Sequence, residues 1–173
     1  IRAEFISMIH RTAEGQHLDL SWVAAGRFDI SAQDYETMVT LKTAYYTVVS
    51  PLRLGAMCAN RLADERFIEA GKALGVAFQI RDDVLNLTPA ADGSYGKEFA
   101  GDLYEGKRTL ILARLFDCAT ADEVRSFEAA LHKPRMQIGK ADTDYILAGI
   151  AKYDALAYAQ CVAEARAATG LSL

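Results

Sequence analysis

Four side chains in the stretch FQIRDDVLN, residues 78–86, pose the first chemical question. Gln79, Asp82, Asp83 and Asn86 fall at i, i+3, i+4 and i+7, a spacing that stacks all four on one face of a helix. Leu74, Ala77, Ile80, Val84 and Leu87 recur with the same period on another face, and Thr88-Pro89 supplies a stop. Two adjacent carboxylates near the end of a helix oppose its macrodipole, which favours negative charge only at the start. A group from outside the helix is therefore expected to offset them.

The segment that follows, TPAADGSYGKEFAGDLYEGK, is polar and glycine-rich, and a loop of that length inside a compact domain is usually functional. Lys97, Lys107 and Arg108 bring positive charge beside glycines, and Asp102 adds a carboxylate. Carboxylates next to lysines, where glycine lets the backbone approach closely, suit a Mg2+–phosphate site: Mg2+ takes one or two carboxylates and completes its shell with water and phosphate oxygens, while lysines neutralise the remaining charge. Taken alone, a solvated loop with incidental charges is the better account of this segment.

Two further clusters lie upstream. In KTAYY, Lys42 and Tyr46 are i, i+4 with Thr43 beside them, a set able to bind diphosphate; a lysine whose stem covers apolar surface is an equal alternative. In GQHLD, Gln16 and Asp19 share a face if the helix continues through Gly15; taken alone, simple polarity at a helix end is the better account of them. Arg53 reads as a satisfied structural arginine. Together, three or four helices each carry an amide or carboxylate with basic groups on one face, the requirement for a polar, metal-binding cavity along a bundle axis.

The elements that position these groups read as helices. There are only three prolines, and strand-like alternation is nowhere sustained. The pattern predicts helices over 2–15, reaching toward GQHLDLSW, and over 32–46, where Ser31 and Asp34 form an approximate capping box. Pro51 deprives the Thr47 carbonyl of its donor, which predicts a kink near Ser50 with helix resuming beyond. Further helices are expected over 65–87, 108–118, 121–132 (Thr120 and Glu123 as a capping box), 142–151 and 153–168, with Gly170 as the final stop. The predicted fold class is all-α, a multi-helix bundle.

Composition bounds the rest. The 173 residues, 51% hydrophobic and 24% charged, suffice for one globular unit spanning 1–173. A net charge of −4 excludes a general nucleic-acid binder, and no apolar run approaches the ~18 residues of a membrane span. Cys58, Cys118 and Cys161 form no CxxC and predict buried free thiols in a reducing compartment, hence a cytoplasmic protein. His10, His17 and His132 lack metal-ligand spacing. The chain opens at Ile1 inside an amphipathic pattern (Phe5, Ile6, Ile9) and reads as the later part of a longer protein.

In order and chemistry, the strings GQHLDL, LKTAYYT with PLRLGA, FQIRDDVLN, GK and GDLYEGKRTL resemble the trans-isoprenyl (polyprenyl) diphosphate synthases. The match runs from Gly15 to Leu110. A lone DD pair would be unspecific; FQxxDD followed by GK, Asp and GKRT, all after KT, is specific. The resemblance implies the all-α isoprenoid-synthase bundle, a homodimer, and condensation of an allylic diphosphate with isopentenyl diphosphate using Mg2+. It implies Asp82 as a direct Mg2+ ligand, supported by Asp83 and Asp102. Lys42, Lys97 and Lys107 are then diphosphate contacts, and Thr43 and Gln79, with Tyr46 nearby, present oxygens to a carbocation. Gln16 and Asp19 line the metal side. The family's second motif ends in aspartate where this sequence has Asn86, which keeps an oxygen for the metal side but loses a charge. No first DDxxD motif is present in these 173 residues; in the family it belongs to helices that would precede Ile1. Either those helices lie outside this sequence or the protein lacks the motif, in which case catalysis is not expected. Two competing readings are a non-catalytic subunit of a heteromeric synthase and a terpene cyclase. Retained charged residues argue against the first, and the KT and GKRT lysines against the second.

Overall fold

The computed structural model describes residues 1–89 and 98–173, and every regular element among them is a helix. In chain order these are α1 (Arg2–Ala24), α2 (Ala32–Val39), a π-helix (Thr40–Val49), α3 (Ser50–Cys58), α4 (Arg66–Asn86), the short α5 (Gly101–Tyr104), α6 (Leu110–Cys118), α7 (Ala121–Leu131), a 3₁₀ turn (Arg135–Gln137), α8 (Lys140–Lys152) and α9 (Ala155–Ser172). The all-α expectation holds. None of the described helices is long and apolar enough to cross a membrane.

The caps legible in the sequence form as written. Asp34 Oδ2 accepts from both the backbone N–H and the hydroxyl of Ser31, and the Ser31 oxygen accepts from the Asp34 N–H. Thr120 and Glu123 close a reciprocal capping box on α7. Each such cap contributes about 1 kcal/mol by satisfying amides that the helix start leaves orphaned.

Three expectations are corrected. The helix expected over 32–46 is α only to Val39 and then widens: the Ser50 N–H donates to Tyr45 O, five residues back. Pro51 sits in the first turn of α3 without an N–H to give, and its ring would collide with the carbonyl four residues back in a tight ladder. Widening the preceding turns accommodates that defect without breaking the helix. Gly170 is no stop, because α9 runs through it to Ser172. A Cβ there would fall 2.6 Å from Leu74 Cγ, so the glycine serves packing rather than termination. Finally, the cysteines are free but not buried. Cys58 and Cys161 are exposed and Cys118 is half-buried; Cys58 and Cys118 are the last residues of α3 and α6, where a helix end meets solvent.

The chain packs as two compact units. The first takes Ile1–Ser21, Glu36–Gln79 and Cys161–Leu173. Its core gathers Val39, Ala44, Tyr45, Val49, Val76 and Ala77. At its margin Glu4 accepts from the Ser50 hydroxyl at 2.8 Å and from Arg53 at 3.1 Å, so Arg53 is structural as expected but not fully satisfied. Its buried Nη1 has no hydrogen-bond partner among the described residues and only a 3.7 Å ion pair to Glu65. Arg166 grips both oxygens of Glu36, tying α9 to α2.

The second unit takes Trp22–Tyr35 and Ile80–Gln160. Ile80 and Val84 of the predicted α4 stripe are fully buried there, each contributing about 1.5–3 kcal/mol by leaving water. Leu110, Ile111, Leu112 and Leu115 make α6 the central helix of this core. Phe28, Phe116, Phe127 and Tyr145 follow one another as a run of tilted and edge-on rings, with centroids 5.0–6.3 Å apart.

Candidate active site

In the first unit, glycines let three helices touch backbone to backbone around the KT segment. A Cβ on Gly15 of α1 would fall 2.2 Å from the Lys42 nitrogen, and one on Gly75 of α4 would fall 2.4 Å from Ala44 Cα. The π-helix is thus pressed between α1 and α4. Because α1 continues through Gly15, Asp19 lies alongside the π-helix, and Lys42 Nζ donates to Asp19 Oδ2. Asp19 is buried, whereas about a quarter of the Lys42 side chain remains accessible. One residue on, the buried Thr43 hydroxyl donates to Gln79 Oε1 at 2.8 Å. Gln16 is half-buried on α1, and Tyr46 is 50% exposed. Of the residues singled out upstream, Lys42 and Asp19 are brought together, and so are Thr43 and Gln79.

In the second unit, the last turns of α4 carry the acidic pair. Asp83 is 5% exposed, and Tyr35 donates its hydroxyl to Asp83 Oδ2 at 2.6 Å. That charge-assisted bond offsets part of the desolvation and dipole cost of this carboxylate. Asp82, beside it, is half-buried. Tyr35 was not singled out in the sequence: it lies 48 residues from Asp83, and nothing local marks it.

Asn86 is also buried, at 4% exposure. Its Oδ1 accepts from the Asp102 N–H at 3.1 Å, and its Nδ2 donates to the Glu98 carbonyl at 3.4 Å. Asp102 in turn accepts from Lys107 Nζ at 2.5 Å, and Glu105 pairs with the same ammonium at 3.2 Å. Burial lowers the affinity of Lys107 for its proton, but the bonds and charges of Asp102 and Glu105 outweigh burial and hold its pKa above the ordinary lysine value. Lys107 is therefore a permanent cation. Arg108 has a different job. It donates to the carbonyls of Arg27 and Gly106 and lies over the Phe28 ring, anchoring the turn before α6. Lys97 lies outside the described residues.

Carboxylates at a helix end with an acid–lysine pair beside them are donor types that hard cations and polyanions take. Among the described residues no group of three or more His, Cys, Asp or Glu converges to hold a metal unaided. The polyprenyl synthetase family model matches residues 2–146. The chain belongs to that family.

Within the polyprenyl synthetases, the geranylgeranyl diphosphate synthase of Saccharolobus solfataricus is 32% identical over 128 residues, which is 73% of this chain and 38% of that protein. The geranylgeranyl diphosphate synthase of Sulfolobus acidocaldarius is 36% identical over 121 residues, covering 69% of this chain and 36% of its own length. A solved geranylgeranyl pyrophosphate synthase from Corynebacterium glutamicum, complexed with isoprenyl diphosphate and magnesium, superposes with a TM-score of 0.83 at 27% identity. The superposition takes in 99% of this chain and 48% of that one. The chain thus spans between a third and a half of the length of these relatives.

Proposed function

We propose that this chain takes part in prenyl transfer, the condensation of an allylic diphosphate with isopentenyl diphosphate to a longer polyprenyl diphosphate. The observation that carries the proposal is the Asp102–Lys107 pair, fastened through Asn86 to the end of the helix that bears Asp82 and Asp83. The donor set fits Mg2+, which takes one or two carboxylates: Asp82 would be the direct ligand, supported by Asp83 and Asp102, and water and substrate phosphates would fill the remaining positions. Asp19, with Gln16, is assigned to the metal side in the same proposal. When bound, Mg2+ supplies neutralisation of charge on the departing diphosphate.

The protein's own groups do the rest. Lys107 and Lys42, with Lys97, hold the diphosphate as point charges and stabilise it as the allylic C–O bond breaks. Gln16 lies at the same end of α1 as Asp19 and adds an amide to that margin. Thr43 spends its proton on Gln79 and so presents oxygen lone pairs, which favour a neighbouring carbocation rather than a neutral carbon. Tyr46 flanks them on the π-helix. The isopentenyl double bond attacks the cation and the adduct loses a proton. A homodimer and a cytoplasmic location belong to the same proposal.

The test uses the native protein with Mg2+, geranyl diphosphate and labelled isopentenyl diphosphate. Formation of longer prenyl diphosphates supports prenyl transfer. Mg2+-dependent diphosphate binding without turnover supports instead a non-catalytic subunit. Cyclised hydrocarbon would move the chain to the cyclases, and no binding at all would remove the proposal.

A further inference from the structure

Asn86 stands where the family motif has a third aspartate, and its surroundings say why an amide is needed. Its Oδ1 faces a group that can only donate, the Asp102 N–H at 3.1 Å. Its Nδ2 faces one that can only accept, the Glu98 carbonyl at 3.4 Å. The two partners fix the amide's orientation, and a carboxylate cannot satisfy both. The backbone carbonyl of the same residue accepts from the Ala100 N–H at 2.9 Å. One residue at the end of α4 thus bonds three positions of the turn 98–102.

That turn requires holding. Ala100 is fully buried with φ 58°, the left-handed conformation that a residue with a Cβ adopts only when its surroundings impose it. The chain enters α5 at the next residue, Gly101, and one residue further the Asp102 carboxylate, 13% exposed, meets Lys107. A relaxed Ala100 would swing Asp102 away from both α4 and the ammonium.

We infer that Asn86 is a positioning residue: it imposes the strained turn at Ala100 and thereby sets the Asp102–Lys107 pair against the acidic end of α4. It holds no metal itself. The assignment of Asp102 and Lys107 to the diphosphate side rests on the proposed function; the clamp does not.

The test compares wild type, Asn86→Asp, Asn86→Ala and Asn86→Ala/Ala100→Gly in the full chain. One measurement is amide hydrogen exchange at Ala100 and Asp102; the other is titration with Mg2+ and inorganic pyrophosphate. Both single substitutions are expected to speed exchange in the turn by about tenfold or more, the equivalent of one lost bond at a buried group. Both are also expected to weaken pyrophosphate binding, and the added glycine, free to adopt positive φ, should restore part of each loss. Asn86→Asp is decisive, because an added negative charge on a metal ligand tightens Mg2+ binding whereas a broken clamp weakens it. Tighter binding with unchanged exchange would overturn the inference. If wild type binds no pyrophosphate, the functional proposal fails, and the exchange rates still decide the clamp.

Discussion

Lys42 donates to Asp19, so the lysine of the KT segment and the acid of the GQHLD segment neutralise each other. A diphosphate that recruits Lys42 must compete with this carboxylate. Asp19→Asn removes the competitor. In metal-free buffer it should bind inorganic pyrophosphate about three- to tenfold more tightly than wild type, the worth of one charge-assisted bond partly exposed to water. Calorimetric titration measures this, and unchanged affinity would show that Lys42 does not reach the ligand.

The contact beneath that pair is tested by glycine. Helical Gly→Ala ordinarily stabilises by about 0.5–1 kcal/mol, and Gly55, with open space around it, should behave that way. At Gly75 the new methyl would meet Ala44 Cα at 2.4 Å, and backbone cannot step aside. Gly75→Ala should therefore cost about 1–3 kcal/mol net. Urea denaturation of the two variants should give opposite signs.

Tyr35→Phe removes the hydroxyl that serves Asp83. A buried carboxylate that loses one donor destabilises the fold by about 1.5–3 kcal/mol. The lower end is expected, because Asp83 makes a further interaction. Chemical denaturation checks it, and a loss below about 0.5 kcal/mol, the range of ordinary surface substitutions, would contradict the pairing.

How much was legible divides by range. Caps are local, so Ser31 with Asp34 and Thr120 with Glu123 could be read from three-residue spacings, as could the buried stripe of Ile80 and Val84. The π-helix was not legible. Pro51 announces a defect, but whether the chain bends or widens depends on α1 and α4 pressing on it through Gly15 and Gly75. Gly170 misled for the same reason: a local stop signal and a close interhelical contact use the same residue. In the candidate site, residue types and order were readable in the sequence, while partners were not. Tyr35 finds Asp83, and Asn86 finds Glu98 and Asp102, only through the fold.

Acid should loosen α7. Lys152 above all, then Tyr153 and Thr120, hold the Glu123 carboxyl down at about 2, against an ordinary value of 4.5. A depressed folded-state pKa stabilises fully above the unfolded value and is lost as pH falls through the folded one. The charge-dependent part of the stability gap between wild type and Glu123→Gln should thus be constant above about pH 5.5, shrink between pH 4.5 and 2, and be lost below, leaving a pH-independent remainder. Thermal melts across that range would reveal a pH-independent gap if these partners were not engaged.

The measurement that bears most directly on the acidic pair as a magnesium–diphosphate site is the affinity of Asp82→Asn for inorganic pyrophosphate with and without Mg2+. The substitution keeps the shape and removes the charge. Affinity in Mg2+ should fall at least about tenfold, with metal-free affinity equal or higher and the helical circular-dichroism signal intact. Wild-type affinity in Mg2+ would contradict the assignment of Asp82, and with it the account of why α4 ends in two aspartates.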